Sequence, residues 1–136
     1  MAIPTIGNEQ AEKLSAREQA PGALRVGIVC DYLEENWPSM DLVADMLMAH
    51  LSNGSIDVQA QRIQPAMSRR FTWQQHEPSG ILFNADRLLN RFWDYPAHLR
   101  HHRDQLDVFH VVDHSYAQLV LELPAASTVF TCYDIY

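Results

Sequence analysis

The stretch LRVGIVCDY, residues 24–32, carries the strongest indication of this protein's fold. Residues 24–30 form a nearly unbroken run of apolar and β-branched side chains, whereas a strand with one wet face would alternate apolar and polar residues. Such a run is typical of a strand covered by helices on both faces, which is the usual situation in a parallel sheet. The stretch therefore predicts an α/β protein.

A helix and a second strand are predicted directly after this first strand. Ser39 is a good N-cap residue and Gly54 suits the C-terminal end, so the helix is expected to lie between them. Residues 56–63, IDVQAQRI, then alternate in the manner of a strand. The three segments form a strand–helix–strand unit, which places two parallel strands in one sheet.

The middle of the chain is predicted to be a loop followed by a long helix. Residues 64–79 are weakly patterned, and the one candidate strand among them is 70–73. Residues 84–103 follow a helical pattern, which Pro96 is expected to break or kink because proline lacks a backbone N–H. The predicted apolar face of this helix consists of Leu88, Leu89, Phe92, Trp93 and Leu99.

Two further strands are predicted at 108–112 and 128–132, with a helix at 116–123 that Pro124 stops. No internal repeat or low-complexity tract interrupts the alternation of strands and helices. This alternation predicts an open, Rossmann-like, mainly parallel sheet with helices on both faces.

Length and composition limit what kind of protein this is. The chain has 136 residues, of which 47% are apolar, and it is expected to form a single domain over residues 23–136. Residues 1–22 are rich in Glu, Gln, Ala and Ser and are predicted to be a flexible tail. The formal net charge of −7 argues against binding a nucleic-acid backbone. No apolar run approaches the roughly 20 residues that a membrane-spanning helix needs.

The cysteines and the missing motifs exclude further classes. Cys30 and Cys132 lie far apart and match no metal-binding spacing, which favours a reduced, cytoplasmic protein. No G-x-G-x-x-G sequence follows the first strand, and P-loop and G-x-S-x-G motifs are also missing. The sequence therefore argues against the dinucleotide-binding and serine-hydrolase classes, and neither a metal nor another cofactor is expected.

Polar side chains follow the predicted strands at one edge of the sheet. Ligands of open α/β sheets bind beyond the carboxyl ends of the strands, so the residues after each strand are candidates for a site. They are Asp31 after the first strand, Asp113, His114 and Ser115 after the strand at 108–112, and Tyr133 and Asp134 after the last. These side chains are expected to meet at one rim.

Most of these residues also have a purely structural interpretation. His114 can donate to a phosphate or a sugar hydroxyl, and its charge is easily tuned near neutral pH, but a capping histidine fits the same position. Asp113 and Ser115 can instead cap the following helix. Asp31 and Asp134 can be turn carboxylates.

Three segments resemble the N-terminal half of a GT-B glycosyltransferase, and the nearest subgroup is the retaining, glycogen-synthase-like family 4. They are RVGIVCDYLEENWPSMDLVADMLMAHL (25–51), FNADRLLNRFWDYPAHLRHHRDQLDVFHVVDHSYAQLVLELP (83–124) and STVFTCYDI (127–135). The most specific part is DVFHVVDHSYAQL followed by TCYDI, which is similar to the family patterns D-x-x-H-x-x-D-H-S and T-x-H-D-[LI]. In the family, two Rossmann-like domains face each other across a cleft, with the donor held by the C-terminal one.

The resemblance implies roles for particular residues. His114 matches a cleft-facing turn position near the transferred sugar, and Asp134 matches the acid of the H-D-[LI] motif, so both are expected to be catalytic. The loop after the first strand matches the loop that reaches toward the donor phosphates, and its Asn36 stands where a glycine is common. Tyr133, which either stacks on a sugar or lines the crevice wall, replaces the family's histidine. The residues expected to bind substrate are Asp31, Asn36, Ser39, Asp113, Ser115 and Tyr133.

The resemblance also implies a function and partners. The chain would be the acceptor-side half of a glycosyltransferase that lacks its donor-binding domain, and it is expected to be inactive alone. The nucleotide-sugar donor would be a co-substrate, the acceptor a sugar or glycolipid, and the location the cytoplasm or the inner membrane face. The strand at 128–132 would lie at the sheet edge and favour self-association. The alternative is a stand-alone, non-catalytic binding module, or a degenerate remnant with the same fold.

Overall fold

The computed structural model describes residues 22–54 and 57–133, and within these residues four strands form one sheet. The strands are β1 (Leu24–Val29), β2 (Val58–Ile63), β3 (Val108–Val111) and β4 (Thr128–Phe130), in the spatial order β2-β1-β3-β4. Each neighbouring pair is parallel. Residues 1–21, 55–56 and 134–136 lie outside the described residues, and with them most of the predicted tail and Asp134.

Helices cover both faces of the sheet, which confirms the predicted Rossmann-like α/β fold. They are α1 (Pro38–Asn53), α2 (Gly80–Leu89) and α3 (Tyr95–His102). Alternate side chains of β1 lie on opposite faces of the sheet. Val26 and Ile28 pack with Ala44 of α1, and Val29 packs with Tyr95 and Leu99 of α3. The apolar run of β1 thus reflects burial on both sides.

Helix α1 begins earlier than predicted, and Ser39 does not cap it. Trp37 occupies the N-cap position without a side-chain hydrogen bond, and Pro38 is the first helical residue. Proline suits this position because its φ is already helical and the N–H that it lacks would have no intrahelical partner there. Gly54 follows the last helical residue, as predicted, in an extended conformation (φ −73°) that any residue adopts.

The predicted helix at 84–103 contains a π turn. Residues Asn90–Asp94 form this turn, which joins α2 directly to α3. The N–H of Tyr95 donates to the carbonyl of Asn90, five residues back. Because Pro96 has no N–H and its ring crowds the preceding turn, a wider turn just before it relieves the clash. Pro96 therefore interrupts the regular helix, as predicted, without ending it.

Four of the five residues of the predicted apolar face of this helix do not face the core. Leu88, Leu89, Phe92 and Trp93 are between 40% and 74% exposed, whereas Leu99 is buried as predicted. The side of the helix that faces the core carries polar residues instead, and Asp86 and Asn90 are fully buried there.

The loop at 64–79 explains why polar residues are buried on this side. The backbone N–H groups of residues 70–72 all donate to the Asp86 carboxylate. Oδ1 of Asn90 accepts from the N–H of Ser68 (2.7 Å), and Nδ2 of Asn90 donates to the carbonyl of Ser68 (2.8 Å). The strand predicted in this loop is not formed, because a helix side chain takes the N–H groups that a strand would give to its neighbour.

Two surfaces leave large apolar side chains uncovered. β4 lies at one edge of the sheet, as predicted, and its residues Val129 and Phe130 are 55% and 49% exposed. The outer side of α2 and the π turn adds Ile81, Phe92 and Trp93, which are 86%, 59% and 74% exposed. Exposed apolar side chains that are grouped in this way are typical of surfaces that bind another protein.

We expect the protein to self-associate at high concentration through these surfaces. Trp93→Arg should raise the concentration at which dimers form by about tenfold, because a charge at the outer side of the π turn must be desolvated on contact. Leu121→Arg is the matched control, since Leu121 is 83% exposed on a different segment. Size-exclusion chromatography with light scattering measures both. A stable monomer at every concentration would contradict this prediction.

Candidate functional site

A cleft of about 350 Å³ opens at the carboxyl edge of the sheet. The start of α1, the helix formed by α2 and the π turn, and the turn after β3 enclose it. A cavity of this size accommodates a small ligand such as one sugar ring. The residues that line it are Trp37, Ser39, Met40, Arg87, Arg91, Asp113, His114, Ser115 and Tyr133.

Five of the predicted site residues line this cleft, and they come from three separate parts of the chain. Ser39 lies at the start of α1, Asp113, His114 and Ser115 form the turn after β3, and Tyr133 follows β4. The carboxyl ends of parallel strands meet at one edge of a sheet, which explains why these distant segments converge. Their roles in binding or catalysis stay predictions.

Of the other three predicted residues, the two that the structure describes do not line the cleft. Asp31 is buried, with 4% of its surface exposed. Asn36 is exposed and has left-handed backbone (φ 55°), which asparagine tolerates better than most residues. Its N–H donates to the carbonyl of Leu33 (3.0 Å) and closes a short 3-10 turn. Asp134 lies outside the described residues.

Asp113 holds the turn after β3 in place. Its Oδ1 accepts from the N–H of Ser115 (3.0 Å) and its Oδ2 from the Ser115 hydroxyl (2.5 Å). Asp113 thereby caps the segment His114–Glu122. The helix predicted at 116–123 is thus a 3-10 helix that begins two residues earlier. Its Oδ1 also lies 3.3 Å from Nδ1 of His114. Burial by itself would raise the pKa of Asp113, but the hydrogen bonds from Ser115 outweigh burial and lower it.

Asp31 is a buried carboxyl that interacts with Asp113. Burial, and then the negative charge of Asp113, raise the pKa of Asp31 to about 8. The charge of Glu35 acts in the same direction, and the positive charge of Arg91 opposes it. At neutral pH Asp31 therefore keeps its proton while Asp113 is ionised, so the pair carries one negative charge.

Glu35 is a second buried carboxylate near the cleft, and it anchors two arginines there. Its side chain is 1% exposed. Oε1 accepts from Nε of Arg87 (3.0 Å) and lies 3.7 Å from Nε of Arg91. Oε2 accepts from the hydroxyl of Tyr116 (2.9 Å). These charges and hydrogen bonds offset the cost of removing the carboxylate from water.

Arg91 links this buried carboxylate to the turn after β3. Its Nη2 donates to the carbonyl (3.2 Å) and the hydroxyl oxygen (3.0 Å) of Ser115, and its guanidinium lies 4.2 Å from the centre of the Tyr116 ring. Arg87 and Arg91 are not among the site residues predicted from the sequence. Their i, i+4 spacing was the available signal, because it places both on one side of a helix.

The charges at the cleft nearly cancel, which favours a neutral or weakly charged ligand. The two arginines are matched by the carboxylates of Glu35 and Asp113. Trp37 and Tyr133 add aromatic rings that are 53% and 45% exposed. The C–H faces of a sugar ring pack well on such rings, while its hydroxyls need donors and acceptors like those of the turn after β3.

Among the described residues, no group of three or more His, Cys, Asp or Glu side chains is placed to hold a metal ion. Over residues 22–54 and 57–133, no helix combines the length and the apolar character needed to cross a membrane.

Comparison with known proteins gives no match: no protein-family model, no curated protein and no solved structure matches this chain. The resemblance to GT-B glycosyltransferases therefore depends on the three sequence segments at 25–51, 83–124 and 127–135, and chiefly on the motifs at 107–115 and 131–135 within them. The function of the cleft has to be argued from its own chemistry together with those motifs.

Proposed function

We propose that this chain is the acceptor-side part of a glycosyltransferase and that the cleft binds a sugar. The observation that carries the proposal is the meeting of the two motif segments at one cavity. His114 belongs to the first motif and Tyr133 to the second, and both line the cleft although they are far apart in sequence. The exposed aromatic rings and the balanced charges of the cleft support a sugar as the ligand.

His114 is the proposed contact to the reacting sugar. An imidazole donates a hydrogen bond to a sugar hydroxyl or a phosphate oxygen, and Nδ1 of His114 lies 3.3 Å from Oδ1 of Asp113 in the turn that presents it to the cleft. Asp134 directly follows Tyr133 in the sequence and is proposed as the second catalytic residue on the ground of the motif. Asp31, Asn36, Ser39 and Ser115 are proposed to shape or bind the substrate.

Sugar transfer needs preorganised groups on both sides of the leaving diphosphate. The cleft is one wall of such a site, and we assign the donor phosphates to a second, donor-binding domain. The nucleotide sugar is then a co-substrate, and the isolated chain is expected to turn over no donor. The proposed location is the cytoplasm or the inner membrane face, because two distant cysteines favour a reducing compartment.

A non-catalytic sugar-binding module is the second candidate, and two details of the cleft favour it. Both oxygens of Asp113 accept hydrogen bonds from Ser115, which makes this carboxylate a structural cap. The phenol of Tyr133 cannot carry the positive charge of the histidine that the family has there. Sugar transfer by a longer chain that includes a donor-binding domain would exclude this candidate.

The His114→Ala variant tests the proposal through binding. We expect saturation-transfer NMR to detect binding of at least one methyl glycoside from a panel of glucosides, mannosides and galactosides. Loss of the imidazole hydrogen bond should weaken that binding about tenfold, or about 1.4 kcal/mol. His101→Ala is the matched control, because His101 is exposed on α3 and does not line the cleft.

Two results would contradict the proposal. One is the failure of every glycoside in the panel to bind, and the other is an equal loss of affinity in the His114 and His101 variants. The expected inactivity is tested by donor hydrolysis with UDP-, GDP- and ADP-glucose. Clear donor hydrolysis by the isolated chain would contradict the expected inactivity.

A further inference from the structure

A second cavity, of about 320 Å³, adjoins the cleft along helix α1. It is lined by Val43, Met46, Leu47, His50 and Tyr133, and we call it the α1 groove. Tyr133 lines both the groove and the cleft, so the two cavities share a wall.

The cleft and the groove follow one another on the same side of α1. Met40 lines the cleft, and Val43, Leu47 and His50 line the groove at the i+3, i+7 and i+10 positions after it. These positions lie on one face of an α-helix. At 1.5 Å per residue the stripe from Met40 to His50 is about 15 Å long, which is enough for an extended hydrocarbon chain of several carbons.

The two cavities differ in chemistry. The cleft presents charged and hydroxyl groups, whereas aliphatic and thioether side chains dominate the groove. Met46 is 53% exposed, and Val43 and Leu47 are partly buried against the core. Nδ1 of His50 lies 2.7 Å from the carbonyl of Met46, so this nitrogen is engaged with the helix backbone. The groove is therefore apolar surface that opens to water beside a polar cleft.

We propose that the ligand of the cleft is amphiphilic, with a sugar head in the cleft and an apolar aglycone in the α1 groove. This inference rests on the proposed function and narrows the acceptor to glycosides that carry a hydrocarbon or aromatic tail. Of the two proposed locations, this inference favours the cytoplasm, because a net charge of −7 is unfavourable at an anionic membrane surface. The ligand is then taken from water.

The test compares methyl with hexyl glycosides of glucose, mannose and galactose. Full burial of one methylene strengthens binding about fourfold. An open groove that buries half of each methylene strengthens binding about twofold per methylene. Five added methylenes should therefore strengthen binding of the sugar that the cleft accepts by about 30-fold. Isothermal titration calorimetry measures the ratio of the two dissociation constants for each sugar.

A matched pair of variants on α1 locates the tail. Met46→Gln should reduce the gain from the hexyl tail to less than tenfold, because it places an amide in the groove. Leu42→Gln should leave the gain unchanged, since Leu42 is 60% exposed on the same helix and does not line the groove. Both positions are exposed, so both variants should fold, and thermal melting checks this.

The outcomes separate this inference from the proposed function. If methyl glycosides bind and the hexyl tail adds nothing, the inference is overturned and the proposed function stands. If no glycoside binds, both fall. The inference is also overturned if Met46→Gln and Leu42→Gln reduce the gain from the hexyl tail equally. It is likewise overturned if the His114→Ala variant binds the hexyl glycoside as tightly as the unchanged protein does. Binding of a dodecyl glycoside only when it is held in vesicles of phosphatidylcholine and phosphatidylglycerol overturns it too.

Discussion

Replacing Asp86 with alanine is expected to lower the free energy of unfolding by about 4 kcal/mol. Oδ1 of Asp86 accepts from the N–H of Arg70 (2.9 Å) and of Phe71 (3.1 Å). Oδ2 accepts from the N–H (3.0 Å) and the hydroxyl (2.6 Å) of Thr72. Alanine would leave these donors without an acceptor in a region where Thr72 is fully buried. Such a loss is a large part of the stability of a small domain.

The effect of Asp86→Ala should depend on pH in a defined direction. Burial would raise the pKa of Asp86, but the hydrogen bonds from Thr72 and from the N–H groups of Arg70 and Phe71 lower it below the ordinary 3.8. A lowered pKa means that the carboxylate contributes stability above about pH 4 and loses it as the pH falls through the folded-state pKa. Urea unfolding curves between pH 3 and pH 7 should therefore converge for the two proteins at the acid end.

Asp94→Ala is the matched control for this prediction. Asp94 also bonds the residues of the loop, through Nη1 (2.6 Å) and Nη2 (2.8 Å) of Arg70. Both partners are partly exposed, at 24% and 42%, so the loss should be no more than about 1 kcal/mol. Equal losses at the two aspartates would show that burial of the Asp86 carboxylate does not hold the loop.

Replacing Asp31 with asparagine is expected to stabilise the protein by about 3 kcal/mol at pH 9. The pKa of Asp31 is raised to about 8 by burial and by the charge of Asp113, so the folded state binds more protons than the unfolded state between about pH 4 and pH 8. Its contribution to stability is therefore fully present below pH 4 and is lost as the pH rises through 8. An asparagine amide carries no charge at any pH, so its burial beside the negative charge of Asp113 has no such cost.

The measurement is the free energy of unfolding of both proteins from pH 5 to pH 9. The stabilisation by Asp31→Asn should grow from pH 5 to about pH 8 and level off above it. The control is Asp104→Asn, since the Asp104 side chain is 90% exposed and its change should have little effect at any pH. A difference that does not change with pH would refute the raised pKa of Asp31.

A carboxyl that weakens the fold at alkaline pH fits the proposed site. The pKa of Asp31 responds to the charges of Asp113, Glu35 and Arg91, and Asp113 belongs to the turn that carries His114. Groups with strongly raised pKa values are concentrated at binding and catalytic sites, where stability is exchanged for function. Stabilisation by Asp31→Asn together with weaker glycoside binding would be the signature of that exchange.

The strands and the rim of the sheet could be predicted from the sequence because they produce local patterns. A strand that is buried on both faces needs a continuous apolar run such as that of β1. A polar residue at the carboxyl end of a parallel strand lies at the rim of the sheet, whichever strands are its neighbours. His114 and Tyr133 could be placed at one edge on that ground, and both line the cleft. Asn36 could be assigned to a turn because its side chain tolerates left-handed backbone.

The orientation of α2 has no such local pattern. The spacing of Leu88 and Phe92 identifies an apolar side of the helix, but it does not say whether that side meets the sheet or water. The sheet side is occupied by Asp86 and Asn90, because the backbone of the loop at 64–79 needs acceptors and donors inside the protein. The loop lies outside α2, so the sequence pattern of α2 carries no information about these hydrogen bonds.

The charged residues of the cleft follow the same reasoning. Arg87 reaches the cleft because it pairs with Glu35, which lies 52 residues earlier in the chain and is buried. Local side-chain patterns thus specified the strands, the helices and the rim where the strands end. Contacts between distant segments selected which helix face is buried and which charges reach the cleft, because a buried polar group takes whatever partner the folded chain brings within hydrogen-bond distance.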